Sequence, residues 1–217
     1  MHAGVDPFAF WEARQEEVDL QGWRSSHSFL SSVIHELLPK IIVEVGVWKG
    51  ASVITMAKTL NECSLDSAIV AIDTWRGSSE HWCQAENYKL MNVYHGLPRL
   101  YETFMANVIS KSLSDYVVPL PVDSLTAYEI LKQRQIHPEL VHIDAGHGYH
   151  SVSKDLEMWS ELLSQGGSII MDDYDWDDET QSAKSWHDVA RAVNDFVRGN
   201  SSILEFRHSD GKCVISF

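Results

Sequence analysis

The sequence is poor in several features that would each point to a particular class of protein. Its three cysteines, Cys63, Cys83 and Cys213, are widely spaced and form no CxxC pair, which argues against a disulfide scaffold and against a thiolate zinc site. No apolar stretch approaches the length of a membrane span, and the first residues lack the basic segment and apolar run of a secretory signal. These absences predict a soluble, cytoplasmic protein with reduced cysteines.

Basic residues are also scarce. The 217 residues include 17 Lys and Arg against 31 Asp and Glu, which gives a formal net charge of -14. An excess of negative charge repels phosphates, so we expect neither a nucleic acid nor a membrane as a partner, but a small molecule. The length suits one large domain, and the hydrophobic content of 44% is enough to bury its core.

Short apolar runs alternate with segments of helical periodicity along most of the chain. KIIVEVGV precedes ASVITMAKTL, for example, and LVHIDA precedes VSKDLEMWSELL. This alternation predicts an α/β fold with a doubly wound, mostly parallel sheet between two layers of helices. The tail SILEFRHSDGKCVISF predicts an antiparallel hairpin around a Ser-Asp-Gly turn. We interpret residues 1–39 as a helical lead-in, residues 40–217 as the domain, and residues 76–112 as a lid or substrate-facing insertion.

Two turns after predicted strands suit a ligand that contains a ribose. In IIVEVGVWKG, the small residues Gly46 and Gly50 let the backbone approach a ligand at the start of the next helix. Trp48 replaces the second glycine of the dinucleotide-binding pattern, so this is not a pyrophosphate loop. In AIVAIDTW, Asp73 ends the next strand, where a carboxylate can accept hydrogen bonds from both ribose hydroxyls. The alternatives are an ordinary strand-to-helix turn and a helix cap.

Three acidic residues follow the fourth and fifth predicted strands. Asp144 ends one strand, and Asp172 and Asp173 end the next. Neighbouring parallel strands bring their carboxyl ends together, and carboxylates so close repel each other unless a cation neutralises them. Oxygen ligands favour magnesium, manganese or calcium over zinc. Alternatively, the pair caps the next segment and faces water, together with Asp175, Asp177 and Asp178.

The segments EVGVWKG, AIDTW and HIDAGHGYHSVSKDLEMWSELLSQGGSIIMDDY together resemble class I S-adenosylmethionine-dependent methyltransferases, most closely the macrocin O-methyltransferase and cephalosporin-hydroxylase-like group, over residues 40–198. The resemblance implies a Rossmann-like sheet of seven strands and an O-methyltransferase that acts on a sugar or another polyhydroxylated natural product. It implies a donor site at Glu44, Gly46, Val47, Trp48, Gly50, Ser52, Asp73, Thr74, Trp75, Asp123, Ser124 and Asp144. Asp123 and Ser124 would lie near the adenine, unless they only begin a helix.

The resemblance also implies the catalytic and metal-binding residues. A divalent metal, Mg²⁺ by preference, would be held by Asp144, Asp172 and Asp173. His147, three residues beyond Asp144, would accept the proton of the acceptor hydroxyl, a role that suits an imidazole because its pKa lies near neutrality. Otherwise His147 is a structural histidine or a metal ligand. The relatives commonly pair, which implies a homodimer.

Candidate acceptor contacts come from the insertion and from the segment after His147. They are Trp75, Arg76, His81, Trp82, Tyr88, Tyr149 and His150, of which the last two could also replace His147 as the base. The aromatic residues of the insertion could equally pack within a lid or a dimer contact.

Two other functions remain open from the sequence. His142 and Asp144, with His147 or His150, could imitate the facial triad of an iron(II) oxygenase. That hypothesis is weaker, because such oxygenases are usually built on β-sandwiches and because it leaves Glu44, Gly46 and Asp73 without a role. The other is a scaffold that kept the fold and lost the chemistry. Bulky Trp48 and Lys49 in the glycine turn, and Asp172 where relatives can have Glu, depart from the family pattern.

Overall fold

A computed structural model of the chain describes residues 2–9, 11, 18–177, 179–180 and 182–217. Its main sheet has seven strands in the order β3-β2-β1-β4-β5-β9-β8. The first five strands in this order are parallel, and β9 and β8 are antiparallel to their neighbours. The strands are β1 (Ile41–Val45), β2 (Ala68–Ile72), β3 (Val117–Leu120), β4 (Leu140–Ile143), β5 (Ser168–Met171), β8 (Glu205–Ser209) and β9 (Lys212–Ser216). This confirms the predicted fold class.

Helices cover both faces of the sheet because the strands are apolar on both sides. Ile42 of β1 contributes to the core on one face, and its neighbour Val43 contributes to the core on the other. The first core includes side chains of α1 (Ser28–Leu37), α2 (Ala51–Glu62) and α5 (Leu100–Ser110). The second includes side chains of α6 (Ser124–Gln133), α7 (Tyr149–Leu162) and α8 (His187–Gly199).

The predicted insertion at 76–112 is too long. It contains two short helices, α3 (Ser79–Cys83) and α4 (Ala85–Leu90), but also α5. Leu100, Phe104 and Val108 of α5 are buried in the first core, so α5 is a crossover helix of the sheet. The aromatic residues of this stretch suggested a lid or an insertion, but some of them lie in or against the first core. Only about residues 76–99 fit the description of an insertion.

Among its described residues, the predicted helical lead-in is helical only in α1. The described residues that precede Ser28 form turns and irregular backbone, while residues 1, 10 and 12–17 of the lead-in lie outside the described part of the chain. Of the helices that the structure describes, none combines the length and the apolar character needed to span a membrane. A second, two-stranded sheet consists of β6 (Trp176–Asp177) and β7 (Ser182–Ala183).

The C-terminal hairpin is present as predicted. Its turn lies at Asp210 and Gly211, whose φ angles of 46° and 84° are those of a tight two-residue hairpin turn. Strand β9 inserts between β5 and β8, with Met171 opposite Cys213. Since β9 is antiparallel to β5, its first residue, Lys212, lies at the carboxyl end of β5, next to Asp172.

Candidate active site

A cleft of about 1100 Å³ opens at the carboxyl edge of the parallel strands. This is where a doubly wound sheet places its ligand site, because loops from neighbouring strands separate there. The cleft brings together predicted residues from both halves of the chain. Those that line it are Gly46, Trp48, Asp73, Thr74, His81, Asp123, Ser124, Asp144, His147, Asp172 and Asp173.

Gly46 is required by the close approach of two strands. Its φ is +86°, and a Cβ at this position would lie 1.9 Å from the carbonyl oxygen of Asp144. Any side chain would therefore push the end of β1 away from the end of β4. The glycine turn is thus built into the sheet and keeps Asp144 beside the predicted donor site.

Asp73 holds the glycine turn in shape. Its Oδ2 accepts hydrogen bonds from the backbone N–H groups of Val47 and Trp48, both at 2.9 Å, and its Oδ1 accepts one from Trp75 at 2.7 Å. Burial raises the pKa of Asp73 and outweighs the opposite effect of these three hydrogen bonds. Because each carboxylate oxygen can accept more than one hydrogen bond, the predicted contact with a ribose remains possible at this position.

The residues predicted to lie near the adenine also have structural partners. Asp123 caps α6 by accepting hydrogen bonds from the backbone N–H and the hydroxyl of Thr126, at 3.0 and 2.7 Å. The Ser124 hydroxyl donates to Asp155 at 2.6 Å and accepts from the Trp159 indole at 3.0 Å. Both residues therefore take part in the start of α6, and both also line the cleft, so their place near the adenine stays a prediction.

Several predicted donor residues lie behind the cleft instead of in its wall. Trp75 is buried, its indole N–H donates to the Trp48 carbonyl at 2.8 Å, and its ring packs against Tyr101 and Phe104. It therefore supports the glycine turn from the core and cannot cover an acceptor, which corrects that prediction. The other members of this group are Glu44, Val47, Gly50 and Ser52, none of which is among the cleft-lining residues.

The acidic end of the cleft brings Asp144, His147 and Asp173 together. Ligand atoms of all three lie within 4.8 Å of one another. Nε2 of His147 is 3.0 Å from a carboxylate oxygen of Asp173, and Nδ1 is 3.8 Å from Glu80. Burial lowers the pKa of His147, but the hydrogen bond to Asp173 and the charges of Asp173 and Glu80 outweigh burial and raise it. This end of the cleft therefore favours a bound cation or proton.

Asp144 is the most strongly perturbed carboxyl group at this end. Burial, followed by the charge of Asp172, raises its pKa well above the ordinary value, and Lys212 opposes the shift. The carboxylates of Asp144 and Asp172 also lie within 4.8 Å of His142. Of the three predicted metal ligands, Asp144 therefore lies near Asp172 in one group and near Asp173 in another, at the carboxyl ends of β4 and β5.

A buried lysine forms an ion pair with one of these carboxylates. The Lys212 ammonium, fully buried, donates a hydrogen bond to Oδ2 of Asp172 and lies 3.3 Å from Nε2 of His142. Burial, and secondly the charge of Lys212, lower the pKa of His142 to about 3, so its ring is neutral. An ammonium at this distance from Nε2 would repel an iron ion bound there, which argues against His142 as the first ligand of the oxygenase hypothesis.

The predicted acceptor contacts are mostly outside the cleft. His81 is inside, with its ring stacked on Trp48 at 4.4 Å between centroids. Trp82 is exposed, packs against Tyr88 and donates its indole N–H to the Arg76 carbonyl. Tyr149 and His150 begin α7; the Tyr149 hydroxyl donates to Asp195 at 3.0 Å, and the Tyr149 ring packs under Arg191. Apart from His81, these residues do not belong to the cleft-lining set, and none of them is placed to replace His147.

The sequence analysis missed residues from distant parts of the chain. Trp23 and Arg24 line the cleft from the N-terminal segment, Glu80 lines it from α3, and Trp186 lines it from the loop before α8. The centroid of the Trp186 ring lies 4.1 Å from that of His147. None of these four stands in a recognisable motif. Lys212 did have a signal, because an antiparallel hairpin beside β5 places the residue after its turn near Asp172.

Comparisons with known proteins agree with this geometry. The model of a methyltransferase domain matches residues 43–174, more than half of the chain, and the protein therefore belongs to this methyltransferase family. An uncharacterized protein of Sinorhizobium fredii, y4gI, is 23% identical over 153 residues, which are 70% of this chain but only 15% of that protein. The chain thus spans a small part of this relative's length.

Solved structures show the same fold. The chain superposes on the O-methyltransferase from Bacillus cereus, in complex with SAH, with a TM-score of 0.63 and 15% identity, covering 93% of this chain and 85% of that one. For the O-methyltransferase TomG from Streptomyces achromogenes, in complex with SAM, the TM-score is 0.64 and the identity 14%, covering 91% and 82%. At these identities the likeness concerns the fold alone.

Proposed function

We propose that the protein is an S-adenosylmethionine-dependent O-methyltransferase that acts on a hydroxyl of a small polyhydroxylated molecule with the help of a divalent cation. The observation that carries this proposal is the single cleft that joins the glycine turn and Asp73 to Asp144, His147 and Asp173. Membership of a methyltransferase family supports it, as does the fold shared with O-methyltransferases in complex with SAM or SAH.

At the donor end, the chain offers groups that fit the methionine and ribose parts of the donor. The turn at Gly46 and Trp48 lies in the cleft wall, and Asp73 follows it with oxygens that can accept further hydrogen bonds. When bound, the donor supplies a methyl group on a positively charged sulfur. The role of the protein at this end is to orient that methyl group towards the acceptor and to exclude water.

At the acidic end, the carboxylate side chains fit a hard divalent cation. Asp144, Asp172 and Asp173 all line the cleft with carboxylate oxygens, the ligands that Mg²⁺ prefers. Burial, and secondly the charge of Asp172, raise the pKa of Asp144, and a bound cation would counteract both effects. A bound cation would stabilise the ionised form of the acceptor hydroxyl. These three residues would hold it.

His147 is the group proposed to take the proton of the acceptor hydroxyl. Its Nε2 faces an Asp173 oxygen at 3.0 Å, and Glu80 lies on the side of Nδ1, so the protonated ring would have an acidic residue on each side. The ring of Trp186 packs over it and fixes its plane. As the acceptor oxygen forms its bond to the methyl carbon, the bond from carbon to sulfur breaks and the demethylated donor leaves.

The walls of the cleft favour an uncharged acceptor with flat faces. Trp23, Trp48, His81 and Trp186 line it, and aromatic rings stack well on sugars and on other planar molecules. The acidic residues would repel an anionic acceptor. This supports a sugar or a polyhydroxylated natural product as the substrate. A homodimer in the cytoplasm stays a prediction.

The proposal is tested first by calorimetric titration with SAM and with SAH, where we expect affinity of roughly micromolar order. A panel of polyhydroxylated acceptors is then assayed for methyl transfer with Mg²⁺ and with EDTA. We expect turnover only with Mg²⁺, and its loss in His147→Gln with donor affinity retained. Absence of SAM and SAH binding would refute the methyltransferase proposal, and full turnover in EDTA would refute its metal part.

A further inference from the structure

The acidic end of the cleft is partly neutralised by a buried lysine side chain of the protein, Lys212. Lys212 is fully buried at the start of β9, on the inner side of the cleft, opposite Asp172. Its ammonium donates to Oδ2 of Asp172, and Oδ1 of the same carboxylate accepts the backbone N–H of Asp173 at 2.8 Å. Both oxygens of Asp172 therefore have partners within the protein.

Lys212 also fixes the residues behind the cleft. It lies 3.3 Å from Nε2 of His142, whose Nδ1 faces Glu44 at 3.5 Å, and the Ser52 hydroxyl donates to Glu44. These side chains are buried and cross the sheet from β9 through β4 to β1. Since a neutral His142 must accept at Nε2 to contact the ammonium, its proton lies on Nδ1, towards Glu44. A single lysine thus orients both Asp172 and His142.

We infer that Lys212 is a positioning residue that reserves Asp172 for itself, so that the divalent ion is held by Asp144 and Asp173 on the open side of the cleft. This inference rests on the proposed function and narrows its set of metal ligands. An ion bound directly to Asp172 would stand close to a buried ammonium, and like charges repel strongly where water is excluded. No buried lysine contacts Asp144 or Asp173 among the described residues. The basic groups beside Asp173 are the Arg24 guanidinium at 3.5 Å and the His147 ring at 3.0 Å, and both of these side chains are partly exposed to water, which weakens repulsion.

The inference predicts how metal affinity changes when the lysine is removed. Lys212→Met keeps most of the length of the side chain and removes its charge, which frees Asp172 to bind metal. We expect the protein without donor or acceptor to bind Mn²⁺ at least about tenfold more tightly in this variant, because the repulsion is gone. Binding is measured by the electron paramagnetic resonance signal of free Mn²⁺, so no activity is needed.

The double variant Asp172→Asn/Lys212→Met removes both partners of the ion pair together, which is better tolerated in a protein interior than the removal of one. Its Mn²⁺ affinity should stay within about threefold of the wild type, because the local charge is unchanged and no ligand is lost. Lys49→Met is the matched control, since Lys49 is a buried lysine paired with Asp19 at 2.6 Å, and it should leave Mn²⁺ binding unaltered.

Two results would overturn the inference. Loss of Mn²⁺ binding in the double variant would show that Asp172 is a ligand, and this holds even if the single variant does not fold. No gain of affinity in a folded Lys212→Met, whether or not the wild type binds Mn²⁺, would show that the ammonium does not restrict the site. The SAH titration separates this inference from the proposed function. SAH binding together with an unchanged Mn²⁺ affinity in Lys212→Met would refute only the role of Lys212. The expected gain of Mn²⁺ affinity without SAH binding would refute only the donor site.

Discussion

The two ends of the cleft keep their shape by different means. At the donor end the backbone is decisive: Gly46 lets two strands approach each other, and Asp73 binds three backbone N–H groups. At the acidic end side-chain charges are decisive, and Asp172 is paired with Lys212, 40 residues further along the chain. A turn made by backbone is therefore visible in the local sequence, whereas a balance of buried charges depends on residues that are far apart in it.

Gly46→Ala should have the largest effect. A Cβ would lie 1.9 Å from the Asp144 carbonyl oxygen, so the ends of β1 and β4 would have to move apart. We expect a loss of more than about 4 kcal/mol in the free energy of unfolding, measured by urea denaturation. Gly166→Ala is the control, because its φ of +77° is similar but nothing lies within 4 Å of the new Cβ. It should cost about 1 kcal/mol, and equal losses would show that φ alone makes Gly46 necessary.

Lys212→Met should have the next largest effect on the free energy of unfolding. It tests the acidic end as Gly46→Ala tests the donor end. An unpaired Asp172 in the interior should lower the free energy of unfolding by about 3 kcal/mol, and Asp172→Asn/Lys212→Met should recover most of the loss. Lys132→Met removes a lysine that pairs with Glu161 at 2.8 Å on the surface, and this control should cost less than about 1 kcal/mol. A double variant no more stable than the single one would show that the lysine acts through packing and not through its charge.

Asp73→Asn should weaken SAH binding by about tenfold or more, since a charged acceptor of hydrogen bonds is lost and the glycine turn loosens. Asp123→Asn is the control variant at the same end of the cleft. Asp123 mainly caps α6, so SAH affinity should fall by no more than about threefold in that variant. Isothermal calorimetry measures both. An equal or larger loss of SAH affinity in Asp123→Asn would show that the main contact with the donor lies at Asp123 and not at Asp73.

Asp173→Asn should have the smallest effect on the donor end, although it removes a proposed metal ligand. We expect the SAH affinity to stay within about threefold of the wild type, because sites without shared partners behave additively. The Mn²⁺ affinity of the same variant should fall by at least about tenfold, since one carboxylate ligand is lost. A parallel loss of SAH affinity would show that the two ends are coupled.

The sheet and the position of the glycine turn at its carboxyl edge could be predicted from the sequence because each depends on short segments. The strands ending at Asp73, Asp144 and Asp172 have apolar patterns with an acidic residue directly after them, and parallel order brings these ends together. The bounds of the insertion were harder to predict, because α5 is as rich in aromatic residues as the segment before it. Trp75 was misplaced for the same reason, since aromatic side chains serve cores and binding sites alike.

The partners of the acidic end could not be read from local patterns. Arg24 and Trp186 line the cleft through loops whose path depends on the packing of the whole domain. Lys212 could have been found only by combining two expectations, the hairpin and its pairing with β5. Buried lysines are rare, so a lysine at the start of an apolar strand looks like an exposed end.

Calorimetric titration of the wild-type protein with SAH, in Mg²⁺ and again in EDTA, tests the central claim most directly. The claim is that one cleft contains a donor site built by backbone and an independent, charge-balanced acidic site. It predicts SAH binding in both buffers, with dissociation constants that agree within about threefold. Absence of binding in both buffers would contradict the donor site, and binding in Mg²⁺ alone would contradict the independence of the two ends.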